Sequence, residues 1–150
     1  MKRDIHKWIS DYGVSHKNPT NKKIHWLCVP IIMFTLLGLL SMVKFYSINL
    51  AYGLIGVALI FYIRLSITIS IGMFIISAIQ LGSIYYLEQI LLFSNLLYIY
   101  IGVFIVAWIG QFIGHKIEGQ KPSFFEDLQF LLIGPAWLLS FIYKKMGIKY

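Results

Sequence analysis

Residues 16–30 read HKNPTNKKIHWLCVP, and within them a polar N-terminus gives way to a long apolar run. Asn18 is a favoured helix N-cap and Pro19 suits the first helical position, so we expect a helix to begin here. Its apolar part, residues 24–43, has about the 20 residues that a membrane-spanning helix needs. Two of the chain's four histidines fall inside this stretch. They therefore lie where a polar surface meets a membrane.

The composition is that of a membrane protein. The chain has 150 residues, of which 59% are hydrophobic and 13% are charged, whereas soluble domains have about 45–50% apolar and about 25% charged residues. We therefore expect a single membrane domain over residues 1–150. The net charge of +7 suits anionic lipid headgroups rather than nucleic acid, because the basic residues cluster beside the apolar runs. The single cysteine, Cys28, excludes an intrachain disulfide and a cysteine-based zinc site.

Four apolar runs predict four membrane-spanning helices. The second and third lie in an almost unbroken apolar stretch about twice as long as one span, in which Arg64 is the only charge. Because a charge at the bilayer centre is costly, we expect a tight turn near Arg64. A polar break at 88–95 precedes the fourth span, and a loop follows it from Gly114. The predicted spans are residues 24–43, 48–63, 66–87 and 96–113.

The two ends of the chain predict segments at the membrane surface. Residues 1–15 carry apolar side chains at helical spacing beside basic ones, which indicates an interfacial amphipathic helix. Residues 124–143 are short for a span and are interrupted at Gly134-Pro135. A fifth crossing would also place the lysines of the tail outside, against the positive-inside rule. We predict a re-entrant or interfacial helix pair, with a fifth span as the alternative. Trp137 is expected to be an interfacial belt residue.

The predicted fold is all-α, a multi-pass membrane helical bundle, and it brings three histidines to its cytoplasmic face. His16 and His25 precede the first span and His115 follows the fourth, so an even number of crossings returns all three to one side. Histidine is the commonest metal ligand, and neutral imidazole suits iron, zinc, copper and nickel. Three protein ligands leave positions open for water, oxygen or substrate. We therefore predict a catalytic metal site.

Each histidine also has an explanation without a metal. His25 could bind a lipid headgroup, His16 could be a solvated loop residue, and His115 could be a cation favoured by a helix C-terminus. The spacing does not match the His-Glu-x-x-His motif of zinc enzymes. A non-catalytic lipid-binding protein and a small transport protein therefore stay open as alternatives, although the near absence of charge within the spans disfavours an ion pathway.

Two longer patterns resemble the signature of the Mpo1-like family. The first is Tyr12…His16-x-x-Pro19-x-Asn21-x-x-x-His25-x-x-x-x-Pro30. The second is Trp108-x-x-Gln111-Phe112-x-Gly114-His115-x-x-Glu118-Gly119-x-x-Pro122-Ser123. A third, shorter pattern that resembles the family's is Asp127-Leu128-x-x-x-Leu132-x-Gly134-Pro135. The resemblance covers nearly the whole chain, and the patterns occur in the family's order.

The resemblance implies an Fe(II)-dependent dioxygenase in a membrane. In fungal members of the family, a long-chain 2-hydroxy fatty acid is shortened by one carbon with molecular oxygen. His16, His25 and His115 match the histidines on which the family depends. The wording of the motifs is closer to a bacterial member, so the resemblance implies a bacterial inner membrane with the site facing the cytoplasm. The endoplasmic reticulum membrane is the alternative.

Five polar residues near the histidines are predicted to support the metal or the substrate. Asn21 and Gln111 each share a helix face with a histidine four residues away and could orient its imidazole or the substrate. Glu118 could be a carboxylate ligand, an acceptor behind a ligand, or a capping residue. Lys116 and Lys121 could supply positive charge for the carboxylate of the fatty acid.

Overall fold

The computed structural model describes residues 4–46, 48–119 and 124–150, and for Phe45 and residues 124–129 it describes only the backbone. The described residues form six helices and one short antiparallel hairpin. Their bounds are α1 (Ile5–Val14), α2 (Pro19–Ser41), β1 (Lys44–Phe45), β2 (Ile48–Asn49), α3 (Leu50–Leu65), α4 (Ile67–Ile90), α5 (Phe93–Glu118) and α6 (Phe124–Met146).

Helices α2 to α5 form an up-and-down bundle. The hydroxyl of Ser41 donates to Oε1 of Glu88 at 2.7 Å, which joins the C-terminal ends of α2 and α4. The backbone N–H of Asn18 donates to Oε2 of Glu118 at 2.9 Å, which joins the start of α2 to the end of α5. Helices α3 and α5 therefore run opposite to α2 and α4.

Helices α2 and α5 approach closely because two glycines of α5 face α2. A Cβ added at Gly110 would lie 2.7 Å from Sγ of Cys28, and one at Gly114 would collide with Oδ1 of Asn21. Small residues four positions apart let two helices come close in a membrane. This approach brings the start of α2 and the end of α5, each with its histidine, to the same place.

Several helix ends differ from the predicted ones. The loop predicted from Gly114 is helical as far as Glu118, because Gly114 serves close packing and the chain turns only at Gly119, whose φ of 75° is left-handed. The break predicted at 88–95 shrinks to two residues, since its glutamate and glutamine are good helix formers. Helix α2 stops at Ser41, two residues early, where the chain enters the hairpin.

The turn predicted near Arg64 is present between α3 and α4. Ser66 is extended, with φ −163° and ψ 122°, and its hydroxyl caps α4 by accepting a backbone N–H three residues on. Arg64 lies in the last turn of α3, where a cation is favoured by the helix dipole. Helix α3 begins at Leu50 because Ile48 and Asn49 pair with β1, and the Asn49 side chain then caps the helix.

Helix α6 is one continuous helix and not the predicted pair. Its backbone stays helical through Gly134 and Pro135. A proline inside a helix removes one backbone donor, and at Pro135 the lost bond is the one to the carbonyl of Leu131. The hydroxyl of Tyr62, from α3, donates to the carbonyl of Leu132 beside this position. Helix α6 thus continues through a sequence that locally favours a break, and a contact with α3 lies beside the proline.

Helices α1 and α6 pack together at the end of the bundle where α2 begins. Helix α1 buries Ile5, Ile9 and Tyr12 in a cluster shared with α6, so its apolar face packs against the protein, and its place at the membrane interface stays a prediction. The hydroxyl of Tyr143 in α6 donates to the carbonyl of Thr68, in the first turn of α4, at 2.9 Å.

Three of the described helices, α2, α4 and α5, are long and apolar enough to cross a membrane. Helix α3 is apolar as well, but it has only 16 residues. Large apolar side chains point outward from the bundle, among them Val57 (64% exposed), Ile79 (64%) and Val106 (68%). Such broad apolar surfaces are expected of lipid-facing helices. The described chain is therefore an all-α bundle of the membrane type.

Candidate metal centre

His16 lies in the loop between α1 and α2 and is 2% exposed. Its ring stacks on Tyr12 with centroids 4.1 Å apart, and its Nδ1 lies 2.7 Å from the carbonyl oxygen of Tyr12. A carbonyl only accepts, so Nδ1 carries the proton and Nε2 carries a free lone pair. Burial lowers the pKa of His16 below its ordinary 6.5, and the Tyr12 carbonyl offsets this only in part. The ring is held neutral, as a metal ligand must be.

His25 repeats the same arrangement inside α2. It is 1% exposed, and its Nδ1 lies 3.0 Å from the carbonyl oxygen of Asn21, one turn earlier. The hydrogen bond again places the proton on Nδ1. In metal sites, a backbone carbonyl on the far nitrogen commonly fixes the ring orientation and the tautomer of a ligating histidine.

His115 completes the cluster from the last turns of α5. Its ring centroid lies 5.6 Å from that of His16 and 5.1 Å from that of His25. One ring nitrogen from each of the three residues lies within 4.8 Å of the other two. Within the described residues, Nε2 of His16 and Nε2 of His25 are buried and have no hydrogen-bond partner. Buried lone pairs without donors are costly, and a cation between them would remove that cost.

Glu118 connects the end of α5 to the start of α2 and to the loop before it. Its Oε1 accepts from the backbone N–H of Lys17 at 2.7 Å, and its Oε2 accepts from the N–H of Asn18 at 2.9 Å and from Nδ2 of Asn21 at 3.0 Å. The carboxylate thus ties the loop after His16 and the first turn of α2 to the end of α5. Of the three roles open for Glu118, this geometry favours an acceptor that fixes the ligands.

The other predicted supporting residues are distributed around the cluster. Asn21 is fully buried beside Glu118, and its amide also lies 3.4 Å from the carbonyl of Ser15. Gln111 is 5% exposed and lies one turn before the third histidine. Lys116 is exposed at the end of α5. Lys121 lies outside the described residues.

A long cavity opens from the histidine cluster into the bundle. At its polar end it touches His16, Gln111 and His115, and beyond them its walls are almost entirely apolar. Along α2 it extends from Val29 to Leu37, about 12 Å at the helical rise per residue. The wall residues recur at helical spacing; on α2 they are Val29, Ile32, Met33, Leu36 and Leu37, and on α3 Leu54, Ile55, Ala58, Leu59 and Tyr62.

Trp137 is not the membrane-belt residue that the sequence predicts, and the cavity was not predicted from the sequence. Trp137 is 3% exposed and packs on His16 and Tyr12, with ring centroids 5.1 and 5.2 Å apart, so it is part of the site's surroundings and not a belt residue. The cavity-lining residues of α2 recur at helical spacing, and this pattern can be read from the sequence. The contribution of α6 to the cavity, including Phe130 and Pro135, has no such pattern, because it depends on how α6 crosses the bundle.

The fold and the site define a helical protein of the membrane type with a buried three-histidine centre at the end of an apolar cavity. The chain belongs to the Mpo1-like family. The family model, described as 2-hydroxy-palmitic acid dioxygenase Mpo1-like, matches residues 2–146. The chain is also similar to the 2-hydroxy-palmitic acid dioxygenase MPO1 of Saccharomyces cerevisiae, with 30% identity over 148 residues, 96% of this chain and 82% of the relative. No solved structure matches the chain.

Proposed function

We propose that this protein is an Fe(II)-dependent dioxygenase that shortens long-chain 2-hydroxy fatty acids by one carbon. The overall reaction is R–CH(OH)–COOH + O₂ → R–COOH + CO₂ + H₂O. The bond between the carboxyl carbon and the hydroxyl-bearing carbon breaks, the latter becomes the new carboxyl, and oxygen is reduced. The equation balances without a further reductant. Family membership and the named yeast relative support the reaction class.

The observation that carries this proposal is the pair of buried Nε2 atoms without partners, on His16 and His25, beside His115. The donor set is three neutral imidazoles, which fits iron as well as zinc, copper or nickel. Zinc has no redox chemistry, which leaves iron, copper and nickel for a dioxygenase. Among these, the resemblance to the family favours iron. Bound at these three residues, Fe(II) would supply the one-electron and oxygen chemistry that side chains lack.

The chain's own residues would position the substrate and keep water away. The apolar cavity walls suit the alkyl tail and leave the carboxyl and hydroxyl groups at the histidine end. There, the buried Gln111 amide can donate to a carboxylate and accept from a hydroxyl. Lys116, and Lys121 by the sequence pattern, would add positive charge at the rim. Asn21 and Glu118 would act behind the ligands, through the hydrogen bonds that hold the loop of His16.

We also propose a topology for the protein in the membrane. Helices α2 to α5 cross the bilayer, and α1 and α6 lie on its cytoplasmic surface together with the site. For α6, the Leu132 carbonyl meets the last turns of α3 and the Tyr143 hydroxyl meets the first turn of α4, so both contacts are at one end of the bundle. A spanning helix would move away from that end over these eleven residues. A bacterial inner membrane is favoured over the endoplasmic reticulum by the form of the motifs.

The test combines metal analysis with oxygen uptake. The protein is purified anaerobically in detergent, its iron content is determined, and oxygen consumption is followed with 2-hydroxypalmitate. The wild type should hold one iron per chain and release a fatty acid one carbon shorter. His16→Ala, His25→Ala and His115→Ala should each lose iron and activity. His6→Ala, which alters the one histidine outside the cluster, should keep its iron.

A protein that binds the fatty acid but holds no metal and consumes no oxygen would support the non-catalytic lipid-binding alternative. Full activity in any one of the three variants would remove that residue from the site.

A further inference from the structure

A second cleft lies on the surface beside the metal centre, between α1, α6 and the C-terminal tail. Gly147, with φ 71°, ends α6 in the left-handed conformation, and the N–H of Ile148 donates back to the carbonyl of Tyr143 at 2.9 Å. This closing motif returns the tail towards α1. There, the rings of Tyr150 and His6 stack with centroids 5.2 Å apart. The fold therefore builds three walls around an open cleft.

The cleft has the chemistry of a site for an amphiphilic anion. Its cationic groups are Lys144 and Lys149, and both are exposed. Its floor is apolar, formed by Ile9, Trp137, Phe141 and Ile148. In the part of the chain that the structure describes, none of the residues lining the cleft is acidic. Positive charge around an apolar floor attracts an anion that carries a hydrocarbon chain.

Trp137 connects this cleft to the metal centre. It lines the cleft, and its ring also packs against His16, with centroids 5.1 Å apart. One side chain thus separates the surface cleft from the first histidine. A carboxylate bound by the lysines would lie next to the site of the proposed reaction.

We propose that the cleft of α1, α6 and the tail captures the carboxylate of the 2-hydroxy fatty acid at the membrane surface, before the acid enters the cavity. The proposal rests on the proposed function for the identity of the acid. Its occupant is the fatty acid and not a phospholipid, because the cleft is lined by Trp137, which packs on His16 of the centre where that acid would react.

The test removes the two lysines, one on α6 and one in the tail, and uses a charge-matched control with one lysine on α1 and one on α6. In Lys144→Gln/Lys149→Gln, both cleft lysines are lost. In Lys7→Gln/Lys145→Gln, two exposed lysines are lost that do not line the cleft. Binding of radiolabelled 2-hydroxypalmitate to the iron-free full-length protein is measured in phosphatidylcholine nanodiscs at low salt. This readout needs no turnover, so it remains interpretable if the proposed reaction fails.

The cleft variant should bind 2-hydroxypalmitate about fivefold more weakly, the effect expected for two exposed charge contacts, and should lose this difference at high salt. The control variant should bind like the wild type, and the uncharged methyl ester should bind equally to all three proteins. If iron-loaded protein turns over, the Michaelis constant should rise in the cleft variant while the turnover number stays unchanged.

Three results would overturn the proposal. The first is wild-type binding in the cleft variant, and the second is equal weakening in the control variant, which would indicate general surface charge. The third is a cleft variant that binds the acid normally but associates less with phosphatidylglycerol vesicles, which would make the cleft a phospholipid site.

Discussion

Single atoms decide what the histidine cluster can do. The backbone carbonyls of Tyr12 and Asn21 accept hydrogen bonds from the Nδ1–H groups of His16 and His25. Both Nε2 lone pairs are therefore left inside the cluster. This choice of tautomer comes from the backbone and not from another ionisable side chain. It therefore persists without an acidic partner, and the carboxylate of Glu118, the one near the cluster among the described side chains, is free to serve as an anchor.

Replacing Glu118 by glutamine tests that anchor. Glu118→Gln keeps the size of the side chain but turns one acceptor into a donor facing backbone N–H groups. Because these contacts are exposed or only partly buried, the change costs about 1 kcal/mol. We expect iron affinity to fall about tenfold or more, as for other residues behind metal ligands, with helix content unchanged by circular dichroism. Affinity is measured by competition with a chelator.

Glu88→Gln is the matched control. It makes the same change in the carboxylate that accepts from the Ser41 hydroxyl, at the opposite end of the bundle. It should leave iron affinity unchanged. Equal losses in both variants would show that Glu118 acts only through general stability.

Among the elements, the pairing of α2 with α5 controls the site. The two glycines of α5 permit contacts that no larger residue allows, and these contacts set the distance between His25 and His115. The candidate metal centre thus depends on helix packing as much as on the three histidines themselves.

Gly114→Ala should break this packing. Its Cβ would collide with Asn21, so the helices must separate, at a cost of about 1–3 kcal/mol. We expect a lower melting temperature and loss of bound iron. Gly102→Ala, on the same helix with open space around it, should be neutral or stabilising by up to about 1 kcal/mol. A Gly114 variant that keeps its iron would contradict the packing account.

The elements also show what could be predicted from the sequence. The start of α2 at Pro19 and the turn beside Arg64 followed from local capping and charge rules, and the even number of apolar runs predicted that three histidines would meet. At Gly114 the sequence predicts a loop and at Pro135 a helix break, but the chain is helical at both positions. Gly114 packs against Asn21, and the Tyr62 hydroxyl donates to α6 beside Pro135. The roles of the polar residues in catalysis stay predictions, since geometry alone does not assign them.

On the scale of the whole molecule, the bundle has a chemically distinct end. The histidines, α1, α6 and the cationic cleft gather there, while the hairpin occupies the other end. If that end faces the cytoplasm, the proposed enzyme takes its substrate from the inner leaflet.

Cysteine labelling tests this orientation. In a Cys28→Ala background, Lys17→Cys and Lys116→Cys should react with a membrane-impermeant maleimide only after the membrane is opened, and Lys44→Cys should react in intact cells. All three lysines are exposed in the structure. Labelling of positions 17 and 116 from opposite sides would contradict the bundle itself, and reversal of all three would contradict only the orientation.

The carboxylate of Glu118 accepts a hydrogen bond from the backbone N–H of Asn18, and these two residues are 100 positions apart in the chain. During synthesis the N-terminal helices emerge first, so the first two histidines must wait in the membrane until the end of α5 has been made. Iron can be held by all three only after that point. In the proposed enzyme, loading with iron would therefore be a late step in biogenesis, and a chain truncated before α5 should insert into the membrane without acquiring iron.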